Sequence, residues 1–145
     1  MKQKFIDAYM DVAYRFSYLS TAKRLQVGAI IVKDDRIISI GYNGMPAGWD
    51  NNCEDEIRWP NGDVKFLTTK PEVLHAEANA LAKVARSSES SEGADLFVTY
   101  SPCLECAKLI YQSGIKKVYY RTQYRDTAGL EFLDKCDIEV EQLDV

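Results

Sequence analysis

His75-Ala76-Glu77 and, further along, Ser101-Pro102-Cys103-Leu104-Glu105-Cys106 have to meet at one point. No other feature of the chain constrains its fold as much. One imidazole and two thiolates make a three-ligand zinc site. Three protein ligands leave one corner of a tetrahedral ion open, which is the arrangement of a catalytic centre rather than a structural one. The carboxylate of Glu77, two residues from the imidazole, supplies the proton carrier that such a centre needs. His75 is the only histidine in the chain. A lone histidine is ordinarily a packed or surface residue, but its place beside Glu77 and ahead of the cysteine pair points to a ligand.

Cys103 and Cys106, three apart on a predicted helix, share a face. Ser101 suits its N-cap and Pro102 its first position, which puts both thiols in the first turn. The partial positive charge there favours the thiolate. The His75–Glu77 spacing is less direct. Residues two apart on a regular helix point to nearly opposite sides, so both can line one cavity only at a helix entrance. Cys-x-x-Cys also fits a redox pair, which leaves His75 and Glu77 idle. A structural zinc closed by Cys53 or Cys136 leaves Glu77 without a role.

The rest of the chain reads as alternating elements. Lys2 to Tyr18 is an amphipathic helix with Phe5, Tyr9, Val12, Phe16 and Leu19 on its apolar face. Val27 to Val32 and Ile37 to Tyr42 are strands of a hairpin turning at 33–36. The first is an almost continuous apolar run, as expected of a strand covered on both faces. Asn43 to about Lys70 is irregular and rich in turn residues, although Trp49 and Trp59 within it call for packing partners. Leu74 to Ala85 is helical, starting either at a capping box over Thr69 to Glu72 or later. A strand over Asp95 to Tyr100, the cysteine helix to Gln112, a strand over Lys117 to Arg121, a short helix after Asp126 and a strand near Ile138 to Val140 complete the order. The alternation predicts an α/β layered domain with a mixed sheet.

At 145 residues the chain suits one domain, expected over 1–145. Its net charge of -4 argues against a nucleic-acid binder, which carries a basic face. No apolar run is long enough to span a membrane, and Asp7 and Asp11 interrupt any secretory signal. A cytoplasmic setting is expected, and its reducing conditions suit free thiolate ligands.

These motifs, with Val27-Gly-Ala-Ile-Ile-Val32, Gly41-Tyr-Asn-Gly-Met-Pro-Ala-Gly48 and Asp50-Asn-Asn-Cys-Glu54, resemble the cytidine and deoxycytidylate deaminase superfamily, and within it the deoxycytidylate (dCMP) deaminases. The resemblance runs from about Arg24 to about Gly129. It implies a three-layer α/β/α fold around a five-stranded mixed sheet. It implies hydrolytic conversion of dCMP to dUMP and ammonia, supplying dUMP for thymidylate synthesis. Zn2+ would sit on His75, Cys103 and Cys106, one ion per subunit since no histidine is left for a second, with Glu77 as proton shuttle.

The resemblance further implies that Asn43 binds the deoxyribose. The backbone at Ala76 and at Ser101, Pro102 and Cys103 would contact the pyrimidine edge, and Tyr124 the sugar-phosphate end. Lys23, Arg24, Arg121 and Arg125 are the candidate phosphate cations. Family members are often homohexamers activated by dCTP and inhibited by dTTP. An effector site is therefore expected at Gly44, Met45, Pro46, Ala47, Gly48, Asn51 and Asn52. Free cytidine deaminases usually carry cysteine where His75 stands. Polynucleotide deaminases need a basic, aromatic track that this acidic chain lacks. A riboflavin-pathway deaminase would usually carry a second, reductase domain.

Overall fold

The computed structural model describes residues 1–144; the last residue of the expected domain, Val145, lies outside them. The β1 strand (Gly28–Lys33) and β2 (Arg36–Tyr42) form the expected hairpin. Its two central residues, Asp34 and Asp35, both take positive φ, 51° and 60°. That is the tight turn whose twist matches the flanking strands. β1 then pairs antiparallel with β5 (Asp95–Tyr100), which runs parallel to β6 (Lys117–Thr122), itself parallel to β7 (Glu139–Gln142). The result is a five-stranded mixed sheet in the order β2-β1-β5-β6-β7.

Successive residues of β1 serve opposite cores, because strand side chains alternate. Ile30 and Val32 pack with Phe97 and Tyr119 under helix α1 (Gln3–Ser17). Ala29 and Ile31 pack with Leu96, Val98 and Val118 under α2 (Ala76–Ala85), α3 (Leu104–Gln112) and α4 (Ala128–Lys135). One helix on one face and three on the other make the α/β/α layering. It also explains the unbroken apolar run of β1. Phe97 stacks on Tyr119 with ring centroids 4.5 Å apart, at the centre of the α1 side.

Helix α1 turns a different face inward from the one expected. Ile6, Met10, Ala13 and Ser17 are buried, each one residue beyond the predicted Phe5, Tyr9, Val12 and Phe16, while Phe5 and Leu19 are exposed. At the closest approach to the sheet the inward residues are the small Ala13 and Ser17, with Ile6 and Met10 buried further along the same face. A Cβ at Gly28 would stand 1.9 Å from the Ala13 carbonyl oxygen. The larger side chains flank that contact.

The stretch expected to be irregular contains a second hairpin, β3 (Glu54–Arg58) and β4 (Val64–Thr69), separate from the main sheet. Its core side is small. Most of its residues are exposed, including Ile57, Trp59, Val64 and Phe66.

The β2–α2 packing sets the position of the site. Ser39 Oγ donates to the Ala80 carbonyl at 2.7 Å, Asn79 Nδ2 to that of Tyr42 and Lys83 Nζ to that of Ile40, both at 2.8 Å. Side chains of α2 thereby satisfy carbonyls along the edge strand. Gly41 lets the helix approach: a Cβ there would lie 2.3 Å from the Ala76 carbonyl oxygen and 2.7 Å from the Ala80 nitrogen. Gly41→Ala should therefore cost about 1–3 kcal/mol in chemical denaturation, the range for an overpacked core. It should also weaken metal binding, because Ala76 adjoins His75.

Candidate active site

Two helix N-termini meet at the carboxyl end of β5. His75 is the N-cap residue of α2 and Cys103 that of α3, each in extended backbone, with ψ 151° and 170°. The cysteine helix thus starts at Leu104, later than expected. Ser101 and Pro102 belong to the segment leaving β5 and do not cap it. The Ser101 hydroxyl instead accepts from the Tyr124 amide at 2.7 Å, and its own N–H donates to the Thr122 carbonyl at 2.9 Å.

The later start of α2 resolves the His75–Glu77 spacing. His75 stands outside the helix and Glu77 in its first turn, so both face one cavity. A two-way bridge holds His75 from the other side: Gly44 N–H donates to the Leu74 carbonyl at 3.1 Å, and Leu74 N–H to that of Gly44 at 2.8 Å.

His75 Nδ1 lies 3.6 Å from Cys103 Sγ and 3.4 Å from Cys106 Sγ, and the three ligand atoms fall within 4.8 Å of one another. A tetrahedral zinc with ordinary Zn–N and Zn–S lengths separates N and S donors by about 3.6 Å, so the spacing fits. The protonation chemistry fits too. The hydrogen bond from Cys106 is the main cause holding the Cys103 thiol down, to about 4. The same contact pushes Cys106 up, and the hydrogen bond to Cys103 raises His75. Donors crowded this closely must share protons unless a cation sits among them.

Neither Cys53 nor Cys136 joins the cluster. Cys53 Sγ is 3.6 Å from Thr21 Oγ1 and from the Asn51 carbonyl, and Cys136 caps the end of α4. With no fourth protein ligand in the cluster among the described residues, the arrangement is that of an open, catalytic centre. Burial pushes the Glu77 carboxyl up to about 7, where a group can both take and give a proton near neutrality.

The cavity beside the cluster measures about 280 Å³. His75, Ala76, Glu77, Ser101 and Cys103 line it together with Arg24, Asn43, Tyr124 and Arg125. The remaining expected contacts lie outside its lining. Arg121 places its guanidinium 5.1 Å from the Tyr14 ring centroid, under α1. Lys23 contributes only its backbone, donating to Glu54 Oε2 at 2.9 Å. Pro102 is buried behind the cavity wall.

The amide of Asn43 already serves the backbone: Oδ1 accepts from Val27 N–H at 2.9 Å and Nδ2 donates to the Leu25 carbonyl at 2.8 Å. The expected effector residues lie beside the cavity, not in it. Met45 packs on Ala22, Cys53 and Val73, and Asn52 Oδ1 accepts from the Glu54 amide. Sequence reasoning missed Glu54, Thr69 and Val73 as cavity residues. Only the motif ending at Glu54 pointed their way.

Fold and cluster together define a three-donor metal centre with a buried carboxylate beside it. Residues 3–122 match the cytidine and deoxycytidylate deaminase zinc-binding region, and the chain belongs to that family. It is 38% identical to the deoxycytidylate deaminase of Enterobacteria phage T4, over 79% of this chain and 76% of the relative. It is 36% identical to the Bacillus subtilis ComE operon protein 2, over 94% and 70%. The crystal structure of the dCMP deaminase of cyanophage S-TIM5, in complex with dCMP and dUMP, superposes with a TM-score of 0.87 at 47% identity, covering 99% of both chains.

Glu77→Gln should keep stoichiometric zinc, read by metal analysis, while turnover falls by roughly 10²- to 10⁴-fold. Cys103→Ser should lose the metal. Zinc retained by that variant would remove Cys103 from the ligand set.

Proposed function

We propose that this chain deaminates dCMP to dUMP and ammonia. One observation carries the proposal: a single cavity is lined both by the metal cluster with Glu77 and by Arg24 and Arg125. A cytosine ring at the cluster leaves the 5′-phosphate for the arginines, whose fork geometry suits phosphate oxygens.

Zinc on His75, Cys103 and Cys106 supplies Lewis acidity that makes water nucleophilic near neutral pH. The other parts of the reaction belong to the chain. Glu77 accepts a proton from the attacking water and delivers one to ring nitrogen N3. It then takes the remaining proton from the oxygen added at C4 and passes it to the amino group, so that the C4–N bond breaks, ammonia leaves and the C4 carbonyl forms. The Ala76 backbone and the 101–103 segment hold the ring edge, Asn43 and Tyr124 the sugar end. Burial of Glu77 keeps its protons from exchanging freely with solvent.

Regulation by dCTP as activator and dTTP as inhibitor is part of the proposal, with the effector bound over Gly44 to Asn52. The Gly44–Leu74 bridge supports it, because displacement of that loop moves the residue next to His75. Homo-oligomers, hexamers by resemblance, would cover the apolar side chains on β3 and β4, since a two-stranded hairpin is marginal alone. One zinc per subunit is proposed: among the described residues only His75, Cys103 and Cys106 form such a cluster. Among the same residues no helix is long and apolar enough to cross a membrane. A cytoplasmic role in supplying dUMP for thymidylate synthesis follows from the proposed activity.

Ammonia release from dCMP and from deoxycytidine by the zinc-loaded protein tests the reading. Turnover of dCMP alone is expected. Arg24→Ala and Arg125→Ala should each raise KM for dCMP by roughly 10- to 100-fold, the worth of a charged hydrogen bond. Deoxycytidine turned over as well as dCMP would refute the phosphate site. dCMP kinetics should be sigmoidal and become hyperbolic with dCTP; hyperbolic curves indifferent to dCTP would remove the effector site.

A further inference from the structure

The base of the β3–β4 hairpin grips Arg24 at two points. Glu54 and Thr69 stand opposite each other in the ladder, and both line the cavity. Glu54 Oε2 accepts from the Arg24 backbone N–H at 3.2 Å. Thr69 Oγ1 accepts from Arg24 Nη1 at 3.0 Å. One strand therefore holds the backbone of Arg24 and the other its guanidinium. Just beyond this pair the Lys70 N–H donates to the Cys53 carbonyl at 2.8 Å, which keeps the two strands together.

The chemistry of the second grip is selective. Arg24 is exposed, and a long exposed side chain gives up rotamer freedom when a ligand fixes it. A partner that fixes it beforehand removes that cost. A carboxylate would do so only by competing with phosphate for the same charge. A hydroxyl is neutral. It takes one of the five guanidinium N–H groups and leaves the other four, with the full charge, for an anion. Among the described residues Arg24 takes part in no ion pair, so nothing else draws on that charge. Threonine also suits a strand and is stiff at χ1, which keeps its oxygen in one place.

We propose that Thr69 is a positioning residue for nucleotide recognition: its hydroxyl holds the Arg24 guanidinium at the cavity wall, ready for the 5′-phosphate of the substrate. The inference rests on the phosphate site of the proposed function and deepens it. It also gives the β3–β4 hairpin a part in the reaction, as the mount of a cation. Thr69 acts only through Arg24, so its loss weakens binding and spares the chemical step.

The test is a double-mutant cycle on the zinc-loaded protein, read as KM and kcat for dCMP. Thr69→Val keeps the branched shape and removes the acceptor. It should raise KM roughly 3- to 10-fold, the worth of one hydrogen bond, and leave kcat within about 2-fold. Thr69→Ser keeps the hydroxyl and should hold KM within about 2-fold of wild type. In an Arg24→Ala background, Thr69→Val should change KM by less than about 2-fold, because the group it positions is gone. Zinc content and melting temperature serve as controls, and Thr69→Ala takes the place of the valine variant should that one not fold. Four results would overturn the inference while leaving dCMP deamination intact. These are an unchanged KM without the hydroxyl, a fall in kcat instead, a loss that serine shares, and an effect that persists without the Arg24 side chain. Failure of the wild type to turn over dCMP would overturn both readings.

Discussion

The site depends on two helices beginning at the same place. His75 and Cys103 are N-cap residues of α2 and α3, and each helix aims the positive end of its backbone dipole at the metal ligands. This arrangement favours the Cys103 thiolate before any ion arrives, while the neighbouring Cys106 keeps its proton, and it collects one imidazole and two sulfur donors at tetrahedral spacing. It is also what frees His75 from helical geometry. Had α2 begun six residues earlier, as a cap at Thr69 would require, His75 and Glu77 would face away from each other. The extended backbone at residue 75 and the bridge from Gly44 to Leu74 prevent that.

Convergence of the helices in turn requires the sheet. β5 delivers Ser101 to Cys103, and the parallel pairing of β5 with β6 brings α3 back over the face that α2 also covers. α2 is fixed to β2 by three side-chain hydrogen bonds and by the absence of a side chain at Gly41. The positions of the cysteines are therefore set by the middle of the sheet, and that of the histidine by its edge. An edge strand moves more freely than a central one. Changes reaching the site through the 43–52 loop would act first on His75 and Glu77, and only later on the thiolates.

What the sequence made legible follows the same division. The central strands were readable because both of their faces are buried: Val27 to Val32 shows as a run of apolar residues and Asp95 to Tyr100 nearly so. The metal ligands were readable because their spacing and chemistry have few other uses. The β3–β4 hairpin was not. Glu54-Asp-Glu-Ile-Arg58 carries charges at four of five positions and buries only the first, so no period-two pattern exists to be seen. The inward face of α1 was misjudged by one residue because its closest approach, over Gly28, is made by Ala13 and Ser17, where pattern reading looks for large side chains.

Glu54 shows why the cavity wall was harder to read than the metal centre. Its partners, Lys23 and Arg24, are 31 and 30 residues away in sequence, and its isolation at the start of a charged strand marks it as solvated surface. Only the folded chain turns it inward. The same holds for the cations. By sequence, Lys23, Arg24, Arg121 and Arg125 are equivalent candidates for an anion. Folding sends the Arg121 guanidinium to the Tyr14 ring and uses only the backbone of Lys23. Arg24 and Arg125 are left on the cavity wall, with the Glu54 carboxylate beside the backbone of one of them. A wall bearing both signs of charge discriminates more sharply than a uniformly basic one. The arginines attract an anion, and the carboxylate repels one wherever an uncharged, hydrogen-bond-donating group should sit. On the proposed reading, a nucleotide satisfies both only in the orientation that puts its phosphate at the arginines and its base at the metal cluster.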